Sequence, residues 1–149
     1  MNLQAILLVE DNPSDIGLTK RALGVNSMTN ELVVARDGQE ALDYLFGTGP
    51  HAGRDTSQTP AIILMDLKLP VVDGLEVLRQ VRAHPQTHNI PIIILTSSKE
   101  EKDITASYDL GANSFIRKPI DFKQFTEVIR QFGLYWLVFN EPPPQVRVP

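Results

Sequence analysis

The chain has no cysteine among its 149 residues, which rules out a disulfide framework and a thiol nucleophile and suits a reducing compartment. It has no apolar stretch of membrane-spanning length, and nothing basic precedes its first apolar run, so neither a membrane span nor a signal peptide is expected. Nor is there an excess of positive charge. The 14 Lys and Arg against 18 Asp and Glu give a formal net charge of -4, which leaves no electrostatic footprint for nucleic acid. Protein or phosphorylated partners in the cytoplasm are therefore expected. Internal repeats are absent, and low complexity is confined to Pro142 to Pro144. The length suits one globular domain with a single core.

What the chain does have is a recurrence of polar residues one or two positions after apolar runs. Asp11 follows the run from Ala5 to Val9, Asp66 the run from Ala61 to Met65, Thr96 the run from Ile92 to Leu95, and Lys118 the segment Ser114-Phe115-Ile116. Short runs of Ile, Val and Leu suit strands buried on both faces of a parallel sheet, where ligands bind beyond the carboxyl ends of the strands. Two carboxylates, a hydroxyl and an ammonium are therefore expected on one edge.

Between these runs lie helix-like segments, five strand and helix pairs in all, as right-handed crossovers around a parallel sheet require. The first helix is expected to start at Pro13 with Asn12 as its N-cap. Later starts carry capping-box spacing: Asp37 with Glu40, Asp73 with Glu76, Ser98 with Glu101, and Asp121 with Gln124. Phe125, Val128, Ile129 and Phe132 form one helical stripe at the end, and Ala41, Leu42 and Leu45 do the same earlier. Leu32 to Ala35 reads as a weak strand at a sheet edge. Asn113 to Arg117, after a glycine stop at Gly111, reads as another weak strand. The segment from Gly47 to Pro60 is long for a connection and reads as a loop or a partner contact.

Glu10 and Asp11 supply adjacent carboxylates after the first strand, and Asp66 adds another after the third. Such a cluster repels itself without a hard cation, and Mg²⁺ takes one or two carboxylates together with water and phosphate oxygens. With Asp66 as acceptor, its carboxylate attacks phosphorus to give an acyl phosphate. The metal and Lys118 offset charge on the equatorial oxygens, and Thr96 donates a hydrogen bond to the new group.

These residues resemble the receiver domain of two-component response regulators. Glu10-Asp11, Asp66, Thr96 and Lys118-Pro119 match its acidic pair, phosphoacceptor, switch hydroxyl and Lys-Pro. Asp66 to Pro70 followed by Asp73-Gly74, and Asp109 to Ala112 followed by Phe115, match further. The resemblance spans roughly residues 4 to 132. It implies a flavodoxin-like, doubly wound α/β fold with a five-stranded parallel sheet in the order 2-1-3-4-5 and five helices. It also implies that the backbone carbonyl of Lys68 completes a Mg²⁺ site with Glu10, Asp11 and Asp66. Lys118-Pro119 would be cis, Thr96 and Phe115 would form the switch, and Lys68 and Ser98 would govern water access to the phosphoryl group.

Plainer readings compete with each piece. Taken singly, Glu10-Asp11 is a solvated strand end, Asp66 a turn cap, Thr96 a turn residue and Lys118 a surface lysine; only their joint spacing favours a site. For Phe115 the plainer reading, a core aromatic, stands unless resemblance is invoked. His51, His84 and His88 have no ligand-like spacing.

A receiver is expected over residues 1 to 132, with an apolar and then proline-rich extension over 133 to 149. Leu134, Tyr135, Trp136, Leu137 and Phe139 are too apolar to remain in water. They either fold back on the domain or anchor a homodimer, the preferred reading. This tail, the long loop and the lack of an output domain make the chain similar to the small receivers paired with bacterial phytochrome histidine kinases. The expected function is phosphoryl transfer from a sensor histidine kinase to Asp66, switching protein contacts. Alternatives are a phosphorylation-independent adaptor, a relay intermediate or a phosphate sink. An aspartyl-phosphate phosphatase would need a carboxylate where Lys68 stands, and a flavin protein would need a phosphate cradle in place of Glu10-Asp11-Asn12-Pro13.

Overall fold

A computed structural model of the chain describes residues 4–26, 28–98, 100–118, 121–133, 135–136, 141 and 144. Strands β1 (Ile6–Val9), β2 (Leu32–Ala35), β3 (Ile62–Met65), β4 (Ile92–Thr96) and β5 (Ser114–Arg117) form one sheet in the order β2-β1-β3-β4-β5, all pairs parallel. Helices α1 (Pro13–Val25), α2 (Gly38–Phe46), α3 (Gly74–Ala83), α4 (Glu101–Asp109) and α5 (Phe122–Gly133) alternate with them. The five-strand, five-helix expectation holds, with β2 at an edge as expected.

Alternation along the central strands divides the core into two layers. Leu7, Val9, Ile63, Met65, Ile92 and Ile94 pack with Ala41, Leu45, Val77, Leu78 and Val81 of α2 and α3. Ile6, Leu8, Ile62, Leu64, Ile93 and Leu95 pack on the other face with Ile16 and Leu23 of α1 and with Phe125 and Ile129 of α5. Both faces are covered, so β1, β3 and β4 are continuous apolar runs rather than alternating ones. Val128 and Phe132, the other two members of the α5 stripe, are half-buried beside the fully covered Phe125 and Ile129.

The helix starts were mostly legible. Asn12 Oδ1 accepts the N–H groups of Ser14 and Asp15 at 2.9 and 3.3 Å, and Pro13 occupies the first turn, where a missing donor costs nothing. Asp37, Asp73 and Asp121 accept the N–H groups of Glu40, Glu76 and Gln124. The fourth box is a correction. Helix α4 starts behind Glu100 with no side-chain cap, and the Ser98 hydroxyl instead donates to Asp103 Oδ2 at 2.5 Å. Asp103 is a buried carboxylate and needs a donor more than the helix end does.

The segment after Gly47 is an ordered loop with one short 3-10 turn, Gly49–His51. Arg54 lies 4.0 Å over the Tyr44 ring and donates through Nε to the Tyr44 carbonyl at 2.6 Å. The connection from β3 to α3 is tighter. The Val72 N–H closes on the Pro70 carbonyl at 2.8 Å, and Val71 between them has φ 70°, a strained γ-turn for a β-branched residue. Gly74 then meets the backbone so closely that a Cβ would lie 2.5 Å from the Asp66 carbonyl oxygen. Asp66 is thus gripped from behind.

Candidate functional site

Register alone brings the first carboxylates together. Val9 pairs with Met65, and the Val9 carbonyl accepts the Asp66 N–H at 3.0 Å, so the residues following β1 and β3 leave the sheet side by side. Glu10 and Asp66 are 3% and 8% exposed, whereas Asp11 is open to solvent. One carboxylate oxygen of each of Glu10, Asp11 and Asp66 lies within 4.8 Å of the others. Three hard oxygen donors at this spacing fit a divalent cation such as Mg²⁺.

Lys118, one residue past β5, reaches the same place. Its ammonium lies 2.6 Å from Glu10 Oε1, 2.8 Å from Asp15 Oδ2 and 3.4 Å from Asp66 Oδ2. Burial pushes the Glu10 carboxyl above its ordinary range, against the lowering effect of the Lys118 hydrogen bond and charge. Burial would pull the Lys118 ammonium down, but hydrogen bonds to Asp15 and Glu10 and the charges of Asp66 and Glu10 more than offset it, and the group stays firmly protonated. These groups open into a cavity of about 360 Å³ whose wall also carries Asn12 and Ser97, with Leu18, Leu95 and Phe125 as apolar lining.

This arrangement agrees with comparison at the family level. The family model for the response regulator receiver domain matches residues 6–130. The chain belongs to the response regulator receiver family.

Response regulator Rcp1 of Synechocystis sp. is 35% identical to this receiver over 134 residues, spanning 90% of this chain and 89% of Rcp1. Its Mn(2+)-bound crystal structure aligns with a TM-score of 0.84 at 33% identity, covering 95% of this chain and 99% of that one. The phosphorylated cyanobacterial phytochrome response regulator RcpA aligns with a TM-score of 0.86 at 37% identity, covering 95% of this chain and 99% of that one. The bacteriophytochrome response regulator AtBRR is 51% identical, with a TM-score of 0.76, covering 95% of this chain and 100% of that one.

The remaining predicted residues of the receiver site are distributed unevenly. Thr96 is fully buried at the end of β4, and its hydroxyl accepts the Ser98 N–H at 3.4 Å, while Ser97 lines the cavity. The Lys118 N–H donates to the Thr96 carbonyl at 2.7 Å. Phe115 is half-buried and packs against the α2 and α3 side of the core. Lys68 donates its N–H to Asp66 Oδ1 at 3.2 Å, and its exposed ammonium sits 3.6 Å from Asp103 Oδ2. The Ser98 hydroxyl and then the Lys68 charge hold the Asp103 carboxyl below its ordinary range. Trp136 packs against the α1 and α5 side of the core and meets Tyr135 edge-on at 5.0 Å, leaving Tyr135 53% exposed. The expected cis bond at Lys118-Pro119, and Leu134, Leu137 and Phe139, lie outside the described residues.

Sequence reading missed Asp15 and Asp103. Asp15 carried one usable signal: an acid three residues after the N-cap Asn12 is placed over the same helix end that faces the carboxyl edge of the sheet. Asp103 carried none, because its partners Ser98 and Lys68 come from two different loops.

Proposed function

We propose that this receiver accepts a phosphoryl group on Asp66 from the phosphohistidine of a sensor histidine kinase, with Mg²⁺ held by Glu10, Asp11, Asp66 and the backbone carbonyl of Lys68. The observation that carries the reading is the meeting of three carboxylates within 4.8 Å with the ammonium of Lys118 on two of them. An Asp66 oxygen forms the new P–O bond as the P–N bond to imidazole breaks, and the departing ring keeps that electron pair and takes up a proton. When bound, the metal supplies fixed positive charge for the phosphoryl oxygens. Lys118 supplies the second positive charge, and the apolar wall of Leu18, Leu95 and Phe125 limits water beside it.

Phosphorylation then changes a protein surface through Thr96 and Phe115, since a switch responds only to groups that interact differently in its two states. The relatives named for phytochromes support a phytochrome kinase as donor. The tail keeps a proposed role in homodimerisation, centred on Tyr135 because Trp136 is already committed to its own core. Sedimentation of full-length Tyr135→Glu tests that role, an unchanged dimer counting against it.

Incubation with Mg²⁺ and a small-molecule phosphodonor, followed by intact mass measurement, tests the main reading. The wild-type chain gains one alkali-labile phosphoryl group, chelator prevents the gain, and Asp66→Asn abolishes it. A phosphoryl group retained on Asp66→Asn refutes Asp66 as acceptor.

A further inference from the structure

Asp15 stands at the third position of α1, its N–H on the Asn12 cap at 3.3 Å and its carbonyl accepting the Thr19 hydroxyl at 2.9 Å. An acid in a first helical turn is ordinarily explained by the helix dipole and needs no further role. Here the side chain does something else as well. Its Oδ2 lies 2.8 Å from the ammonium of Lys118, 103 positions away, and both line the same cavity. The Lys118 side chain is only 12% exposed.

An ammonium has three N–H donors, and here Glu10, Asp15 and Asp66 are their acceptors. Two of the three, Glu10 and Asp66, also belong to the carboxylate trio suited to a divalent cation, and Asp15 does not. A cation on that trio therefore draws on two of Lys118's three partners and leaves the third. We propose that Asp15 is a positioning residue that holds the Lys118 ammonium on the α1 side of the site, so that Lys118 and the divalent cation occupy it together. This inference rests on the phosphoacceptor and metal reading above.

Without Asp15, Lys118 and the metal would share Glu10 and Asp66, two positive charges drawing on one pair of carboxylates. Metal binding would weaken, and it would do so through Lys118. A plain loss of one negative charge would also weaken it, but equally whether or not Lys118 is present. A double-mutant cycle separates the two.

Mn²⁺ binding to the full chain is measured by calorimetry, and by the loss of the free-ion electron paramagnetic resonance signal, for wild type, Asp15→Asn, Asp15→Glu, Lys118→Gln and Asp15→Asn with Lys118→Gln. Circular dichroism verifies folding, and Lys118→Met replaces Lys118→Gln if the latter unfolds. Asp15→Asn is expected to weaken Mn²⁺ about fivefold to tenfold where Lys118 is present and by less than about twofold where it is absent. Asp15→Glu should restore most of the affinity, its extra methylene still spanning to the ammonium. Equal weakening in both backgrounds, or none in the wild-type background, overturns the role of Asp15 and leaves the metal site standing. Failure of the wild-type chain to bind Mn²⁺ overturns the metal reading, and the proposal with it.

Discussion

Replacing Lys118 by methionine removes an ammonium in contact with three carboxylates, two of them nearly fully buried. Breaking a buried ion pair by deleting one partner typically destabilises by about 3–5 kcal/mol, because the other charge stays buried and unpaired. A second route gives a ceiling: Glu10 can escape by taking a proton, which from its ordinary value of 4.5 costs about 3.4 kcal/mol at pH 7. The two agree on about 3 kcal/mol, equivalent to a fall in Tm of about 6–12 °C at this chain length. Urea and thermal unfolding in chelator should show that loss, and millimolar Mg²⁺ should stabilise the variant more than the wild type, since the metal replaces the missing charge. The pH dependence has a definite sign. A carboxyl whose folded pKa stands above its unfolded value is stabilising below the unfolded value and loses that contribution as pH rises through the folded one. Lys118 holds the Glu10 pKa down, so its removal raises that pKa further, and the deficit of the variant should shrink as pH falls from 7 toward 4.5. A deficit under about 1 kcal/mol in chelator, or Mg²⁺ stabilising the wild type more, would refute this account of the charge balance.

Three other substitutions probe the frame around the site. Arg82 donates to the carbonyls of His88, Ile90 and Gly111 and to Asn113 Oδ1, tying the end of α3 to the loops before β4 and β5; Arg82→Met should lower stability in urea by about 2–4 kcal/mol, with Arg82→Lys recovering only part. Gly74→Ala places a Cβ 2.5 Å from the Asp66 carbonyl oxygen and 2.7 Å from Leu67 Cα, and should cost about 1–3 kcal/mol and slow the labelling of Asp66 by a small phosphodonor. Val71→Gly relieves a positive φ at a residue that is 78% exposed, and should raise the urea midpoint by an amount equivalent to about 0.5–1 kcal/mol once the added freedom of the unfolded chain is subtracted.

The parts of this molecule that sequence reveals are those fixed by local or periodic rules. Strands covered on both faces must be apolar throughout, so β1, β3 and β4 stand out as runs, and the residue after each run falls on the site edge. Asn12, Asp37, Asp73 and Asp121 announce their helices because a cap acts on residues two or three positions on. Ser98 had the same spacing and a different use, since the buried Asp103 took its hydroxyl. Competition of this kind is settled by burial, which no spacing reports. Which carboxylates would share Lys118 was equally hidden: the resemblance brought Glu10, Asp66 and Lys118 to one site without pairing them, and Asp15 depended on how far α1 turns toward β5. Trp136 shows the limit for the tail, where apolar character demanded cover but could not say whose.

Thr96 and Lys118 are joined through the backbone as well as by their neighbourhood, because the last rung recorded between β4 and β5 is the Lys118 N–H on the Thr96 carbonyl. Strand β5 has a strand neighbour on one side only, so that rung sits at the outer margin of the sheet. The two side chains therefore hang from one crossbar at its least restrained end. Under the proposed phosphorylation of Asp66, a pull on either side chain would tug the crossbar and would shift the border strand more readily than β1 and β3, which have strand neighbours on both sides. On that reading the molecule would work as an anvil with one jaw, and the jaw, β5, is the face a partner would feel.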